Sequence, residues 1–235
     1  MLFPSYQQSI FALDPAAGLT DANLWKDSSP YGLHVTPVNY AAPNYGYAVG
    51  PSGAPYIGFN GANQRGDVLA PALARFYTAL NNSSVLTVAA VVRSNAPAVN
   101  DDIFTCLAVA GRGFGLRYLT TSRMVLDTYD AGGVLSTMRE TTGLYDTSGR
   151  TSVMLLSFNK TGGIGLAWRD GVGEGITITG NANPIAYDAA VAPTVGCYPG
   201  GGSYFDGSLY FMGIWPMVFT DQEARNFSAY WLDRC

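Results

Sequence analysis

The sequence predicts an all-β protein built as a two-sheet antiparallel sandwich, with a short C-terminal helix. Three observations carry this expectation. Short apolar or alternating runs recur between Gly, Pro, Asn and Asp punctuation, the pattern of sandwiches and barrels. Only two segments repeat at helical spacing. Finally, 28 Gly and 13 Pro punctuate the 235 residues, and charged residues are only 13% of the chain, about half of the ~25% usual for a globular protein.

The strand runs are clearest in the middle and at the end. Ser84–Ser94 places Val85, Val88, Val91 and Val92 around Leu86, a β-branched run that reads as buried on both faces. Ile103–Ala110, Gly113–Leu119, Met124–Tyr129, Thr151–Asn159, Gly163–Arg169 and Ser203–Met217 are the other strands. Asn159-Lys160-Thr161-Gly162-Gly163 reads as a hairpin loop, with Gly available for positive φ, and Asp170-Gly171 as a turn. Pro71–Leu80 is a short helix, with Leu73, Phe76 and Leu80 three and four residues apart. At residues 220–233, Thr220 is a good N-cap and Glu223 completes a capping box. Ala224, Phe227, Tyr230 and Trp231 then form one apolar face.

Residues 1–9 read as an N-terminal arm. Thr36–Pro55, rich in Pro, Gly and Tyr and without charge, reads as one long ordered loop. No repeat or composition shift marks a boundary, so residues 1–235 read as one domain.

Several function classes are disfavoured. A chain that is 48% hydrophobic buries enough surface to fold, which argues against disorder. A net charge of −4 without a basic block argues against a nucleic-acid partner. No apolar run approaches the ~20 residues of a membrane-spanning helix. Met1–Gln8 lacks a signal peptide's positive and apolar regions, so the expected compartment is the cytoplasm, or release from it by lysis. Cys106, Cys197 and Cys235 lie at wide spacings that fit neither a disulfide framework nor a zinc pattern, and Cys106 and Cys197 read as buried thiols.

Catalytic signals are sparse. His34 is the only histidine; Tyr31–Thr36 around it reads as an early strand, and the residue itself as a hydrogen-bonded structural one. Gly201-Gly202-Ser203-Tyr204-Phe205 fails as a nucleophile elbow at its last position. Gly111-Arg112-Gly113-Phe114-Gly115 precedes a strand, so it reads as a hairpin turn and not as a phosphate loop. Glycosidases need two carboxylates flanking the scissile bond. Glu140, Glu174 and Glu223 are the only glutamates, and Asp170, the one acidic neighbour at strand spacing from Glu174, already sits in a turn. Asp127 and Asp130 fall on opposite strand faces, and Asp101-Asp102 read as a solvated loop. That leaves only a pair assembled through space.

Five separated pieces, in order, resemble the laminin G-like branch of the concanavalin A-like jelly-roll superfamily. Phe11-Ala12-Leu13-Asp14 with Lys26-Asp27-Ser28-Ser29-Pro30-Tyr31-Gly32 is similar to the opening strand and its D-x-S-G-x-G turn. Tyr56-Ile57-Gly58-Phe59-Asn60-Gly61 resembles the next strand, L-x-F-D/N-G, and Ser84–Arg93 the strand F-T-I-S-x-W-V-K. Leu166-Ala167-Trp168-Arg169-Asp170-Gly171 resembles the L-Y-V-D-G hairpin. Phe205–Trp215 followed by Phe219–Ala224 resembles the closing strand and helix. There are two departures: the W-H-H-V strand appears as Thr151–Leu155 without its Trp or His, and the glucanase E-x-D-x-x-E strand is missing. The resemblance therefore implies no catalytic residues. The family's calcium site on the sandwich rim would fall to Asp27 and Asp206 as candidates; otherwise no cofactor is expected.

Three functions compete. Such jelly rolls recur in bacteriophage particles, so the main expectation is a structural virion protein: a capsid decoration, cement or tail-associated subunit. It would contact other virion proteins or further copies of itself, as a homo-oligomer. Two Lys against 11 Arg, and 15 Tyr, suit protein contact surfaces. The alternative is a carbohydrate-binding module for a cell-surface glycan, with Tyr40, Tyr45, Tyr47, Tyr198 and Tyr204 as loop aromatics that stack on sugars. A glycan-cleaving enzyme is the third.

Overall fold

The computed structural model describes residues 4–95, 100–108, 112–118, 124–140, 149–159, 165–174, 176–180, 183–199 and 201–235. Early strands are short: β1 Phe11–Leu13, β2 Val35–Val38, β3 Tyr47–Val49, β4 Pro55–Asn60 and β5 Arg65–Val68. Helix α1, Leu73–Asn82, precedes β6 Val85–Ser94, β7 Asp101–Ala108, β8 Arg112–Tyr118, β9 Met124–Tyr129 and β10 Leu135–Glu140. Then come β11 Ser152–Asn159, β12 Gly165–Arg169, β13 Val172–Glu174, β14 Ile176–Gly180, β15 Thr194–Val195 and β16 Asp206–Trp215, and helix α2, Asp221–Leu232.

The strands form two antiparallel sheets packed face to face, a jelly-roll sandwich. The first runs β13-β12-β11-β6-β16-β4-β3, with β1 also paired to β16. The second runs β14-β10-β9-β8-β7-β15-β5-β2. Between them Phe11, Phe104, Phe114 and Phe158 form a chain of rings with centroids 5.6, 5.9 and 5.7 Å apart. Such pairs add to the area that burial removes from water.

The β-branched run in β6 is buried on both faces, for an identifiable reason. Val88, Ala90 and Val92 enter the core between the sheets, while Ala89 and Val91 enter a second core on the outer side of the first sheet. Helix α2 roofs that outer core with Ala224, Phe227 and Trp231. Its start is fixed by the capping box: Glu223 N–H donates to Thr220 Oγ1 at 3.2 Å and Thr220 N–H donates to Glu223 Oε2 at 2.8 Å. The Trp168 indole N–H donates to Asp221 Oδ1 at 2.9 Å and ties α2 to β12. The N-terminal arm packs on the same outer core, with Tyr6 stacked 5.4 Å from Phe211 and the Trp215 indole donating to the Ser5 carbonyl at 3.2 Å.

Two expectations need correction. Residues 36–55 are not one long loop, because β2, β3 and the first residue of β4 lie in or overlap that span. Proline hid them: Pro37 sits in β2, an edge strand, and Pro55 begins β4, the two strand settings where a missing N–H costs little. Asp101 and Asp102 are not solvated loop residues; they open β7 and are 2% and 1% exposed. His34 lies just before β2, and its Nδ1 accepts the Asp27 N–H at 3.1 Å, a structural role. Cys106 and Cys197 are buried free thiols. Of the expected hairpin loop Asn159–Gly163, residues 160–163 lie outside the described residues, as does Gly111. No helix among the described residues is long and apolar enough to cross a membrane.

Candidate functional site: a charged, tyrosine-bordered sheet face

The outer face of the second sheet carries a cluster of largely buried charged side chains. Strand alternation puts it there. In β8, Phe114, Leu116 and Tyr118 point into the core, so Gly113, Gly115 and Arg117 point outward. In β9, Met124 and Leu126 point inward, so Val125, Asp127 and Tyr129 point outward. An irregularity after Asp102 in β7 lets Ile103 and Phe104 both reach the core, and leaves Asp102 opposite Arg117 on the outer face.

Arg117 sits between two carboxylates. Its Nη2 lies 3.0 Å from Asp127 Oδ2 and its Nε lies 3.6 Å from Asp102 Oδ1, with side chains 17%, 7% and 1% exposed. The longer contact is not a hydrogen bond, so Asp102 Oδ1 and Arg117 Nε are buried without a hydrogen-bond partner. Burial pushes the Asp102 carboxyl up to about 7, against the pull of Arg117 and a hydrogen bond to Ser203, with Asp127 adding to the rise. Burial likewise lifts Asp101 to about 6, against a hydrogen bond from the Asp206 backbone, with the Asp206 charge adding to the rise. The Tyr129 hydroxyl is raised by burial and by Asp127.

The loop after β15 folds back onto this face. Gly196 N–H donates to the Ile103 carbonyl at 2.8 Å and Asp102 N–H to the Ser203 carbonyl at 3.0 Å. Tyr204 forms an isolated bridge with Asp102. Between these anchors Tyr198 N–H donates to the Gly202 carbonyl at 3.1 Å, closing a turn whose Gly201 and Gly202 take φ of 96° and 94°. Thr105 and Thr194 pair through their hydroxyls at 2.6 Å and both contact the Cys197 carbonyl, so the loop's base is held by buried polar bonds. Tyr129, Tyr198 and Tyr204 are only half-buried and border the Asp102–Arg117–Asp127 cluster.

Two of the five loop tyrosines singled out from sequence, Tyr198 and Tyr204, are therefore brought to this face. The other three lie elsewhere, two of them against Trp25. Tyr40 meets Trp25 edge-on at 5.2 Å and donates its hydroxyl to the Gly58 carbonyl at 2.8 Å. The Tyr45 carbonyl accepts the Trp25 indole N–H at 2.8 Å, and the Tyr47 hydroxyl donates to the Gly18 carbonyl at 2.8 Å. Asp27 is buried, and its oxygens accept from the N–H groups of Ala12, Ser29 and Leu33 and from the Ser29 hydroxyl, filling a carboxylate's capacity with protein donors. Asp206 is half-buried and accepts from Asn95 Nδ2 at 2.7 Å. Among the described residues, no three His, Cys, Asp or Glu side chains converge in a way that would hold a metal.

Sequence reading missed Asp102, Arg117, Asp127 and Tyr129 as a group. The alternation in RGFGLRY and MVLDTY puts Arg117, Asp127 and Tyr129 on polar faces, but the strand register that joins them is a long-range property.

The raised Asp102 carboxyl gives a pH signature. Below pH about 4 the group is protonated folded and unfolded, and burial costs little. Between about 4 and 7 the unfolded chain releases the proton while the folded chain keeps it, so stability falls as pH rises. Asp102→Asn is expected to be more stable than the parent at pH 8, with the gap closing towards pH 4. Urea unfolding at a series of pH values reads this directly, and a pH-independent gap contradicts it.

No protein-family model and no curated protein match the chain. Solved structures do match. One is described as "Cell entry of botulinum neurotoxin type C is dependent upon interaction with two ganglioside molecules", at 11% identity and a TM-score of 0.66, covering 96% of this chain and 51% of that one. Another is the binding domain of botulinum neurotoxin DC in complex with SialylT, at 10% identity and 0.66, covering 96% and 52%. A third is the same type of domain in complex with rat synaptotagmin II, at 10% identity and 0.65, again covering 96% and 52%. The chain thus spans about half the length of the structures it matches. At this identity the likeness establishes the fold: an all-β, two-sheet sandwich shared with receptor-binding domains.

Proposed function

We propose that this chain is a non-enzymatic, lectin-like carbohydrate-binding module that meets its glycan on the outer face of the second sheet. The observation that carries the reading is the Arg117 guanidinium fixed between Asp102 and Asp127 with Tyr129, Tyr198 and Tyr204 around it. The buried carboxylates hold the partly exposed guanidinium as a fixed donor for sugar hydroxyls, and partly exposed rings offer flat apolar surface to sugar faces. The neighbours described with gangliosides and with SialylT add weight to this reading over the virion expectation.

The test is a glycan array run with calcium and with chelator. We expect a reproducible glycan signal, weakened about threefold to tenfold by Tyr198→Ala or Tyr204→Ala. Loss in chelator would assign a calcium ion to the rim near Asp206. A blank array from folded protein overturns the reading.

A second reading has its own observation. Val85, Phe158, Leu166 and Val218 line a mostly apolar groove of 190 Å³ at the end of the first sheet. Apolar surface of this kind suits protein contact, the mechanism expected of a virion subunit or a homo-oligomer, and one neighbour is described with a protein partner. Detection of the chain in purified particles by mass spectrometry would favour it.

A further inference from the structure

A separate cavity lies on the opposite side of the sandwich, and it is independent of the glycan reading. It encloses 340 Å³ between the end of α2, the turn after β1 and the β3–β4 turn, a size suited to a small organic molecule. Asp14, Ser52, Tyr230, Trp231, Asp233 and Arg234 line it.

Three features define what the cavity is built to receive. Its charge is unbalanced, with two carboxylates facing one guanidinium at the C-terminal, negative pole of α2, whose last turn carries no basic residue. Its wall already holds a cation: Arg234 Cζ lies 3.7 Å from the Tyr230 ring centroid. Its Trp231 is 5% exposed, and the indole N–H has no hydrogen-bond partner. Asp14 accepts the Tyr6 hydroxyl at 3.1 Å and the Ala16 N–H at 2.9 Å, which leaves acceptor capacity on both oxygens. Burial outweighs these bonds and Arg234 in setting the Asp14 carboxyl above the usual range, so the anion is under-compensated.

We propose that this cavity binds a small hydroxylated primary amine. The ammonium pairs with Asp14 and Asp233 beside the Tyr230 ring, and an oxygen of the same molecule accepts from the Trp231 indole or from Ser52. An amino sugar and an ethanolamine headgroup share this chemistry.

The test follows the tryptophan indole N–H resonances of the ¹⁵N-labelled chain during titration with glucosamine, ethanolamine and glucose. Trp231→Phe identifies the Trp231 signal. That resonance is expected to move saturably with at least one amine and not with glucose. Movement with glucosamine alone assigns the ligand to sugars, and movement with ethanolamine alone assigns it to headgroups. Asp14 also caps the turn after β1, so exposed Asp233 supplies the variant that spares the fold. Asp233→Asn is expected to weaken amine binding about tenfold, and Arg234→Gln to tighten it by removing the competing cation. No shift with either amine, an equal shift with glucose, or weaker binding in Arg234→Gln overturns the proposal. None of these variants touches the tyrosine-bordered face, so failure here and a blank glycan array are separate results.

Discussion

Arg117→Met is expected to destabilise the protein by about 3–5 kcal/mol at pH 8, the cost of leaving buried carboxylates without their cation. Asp102 and Asp127 are 1% and 7% exposed and share this guanidinium, so its removal sets two anions against each other in a poorly hydrated site. At ~2–4 °C per kcal/mol for a chain of this size, the midpoint of thermal unfolding falls by roughly 10 °C. The pH dependence is the sharper part of the prediction. Asp102 already holds its proton up to about pH 7 with Arg117 in place, and without that cation it holds it higher still. Acid therefore neutralises the repulsion, and most of the loss is recovered near pH 4. Thermal melts by circular dichroism at pH 4 and pH 8 read both values. Equal losses at the two pH values would mean that Arg117 contributes by packing its aliphatic stem, not by charge.

The second large effect is expected at Asp27. Its carboxylate receives the N–H groups of Ala12 at 2.8 Å, Ser29 at 2.9 Å and Leu33 at 2.6 Å, and the Ser29 hydroxyl at 2.6 Å. Residues 27–33 meet β1 through the Leu13–Asp27 bridge, through the Ser28 N–H on the Ala12 carbonyl at 2.8 Å, and through this side chain, which also ties Ser29 and Leu33 together. Asp27→Ala leaves three backbone donors without this acceptor, each costing about 1–3 kcal/mol where water does not replace it. A total of about 3–5 kcal/mol is expected, measured as a lower urea midpoint. Asp27→Asn keeps one amide oxygen and is expected to lose less. A loss in Asp27→Ala below about 1 kcal/mol would mean that the segment is held by Ser29 and His34 instead.

The fold was legible in the sequence wherever a strand carried its own periodicity. β6, β9, β11 and α2 fall within a residue or so of the runs that announce them, because burial on one or both faces leaves a pattern in consecutive residues. β2 and β3 were not legible: they are edge strands of three or four residues whose Pro and Tyr content imitates a loop. The candidate site was only half legible. Tyr198 and Tyr204 stand out by their glycine-rich setting, whereas the Asp102–Arg117–Asp127 cluster exists through the pairing of β7, β8 and β9, which no local window contains. Tyr40 looks the same as Tyr198 in sequence; what separates them is Trp25, 15 positions before Tyr40, which the Tyr40 ring meets edge-on.

The sheet edges carry a further consequence. The first sheet ends in β13 and β3, of three residues each, and one border of the second is the four-residue β2, where Pro37 deletes an N–H. Unpaired backbone along a sheet border is a template for foreign strands, and clipped or proline-bearing borders offer little of it. Among the described residues, the borders formed by β13, β3 and β2 are thereby guarded against fibril growth, and the five-residue β14 is the longest border strand from which strand-by-strand polymerisation could begin.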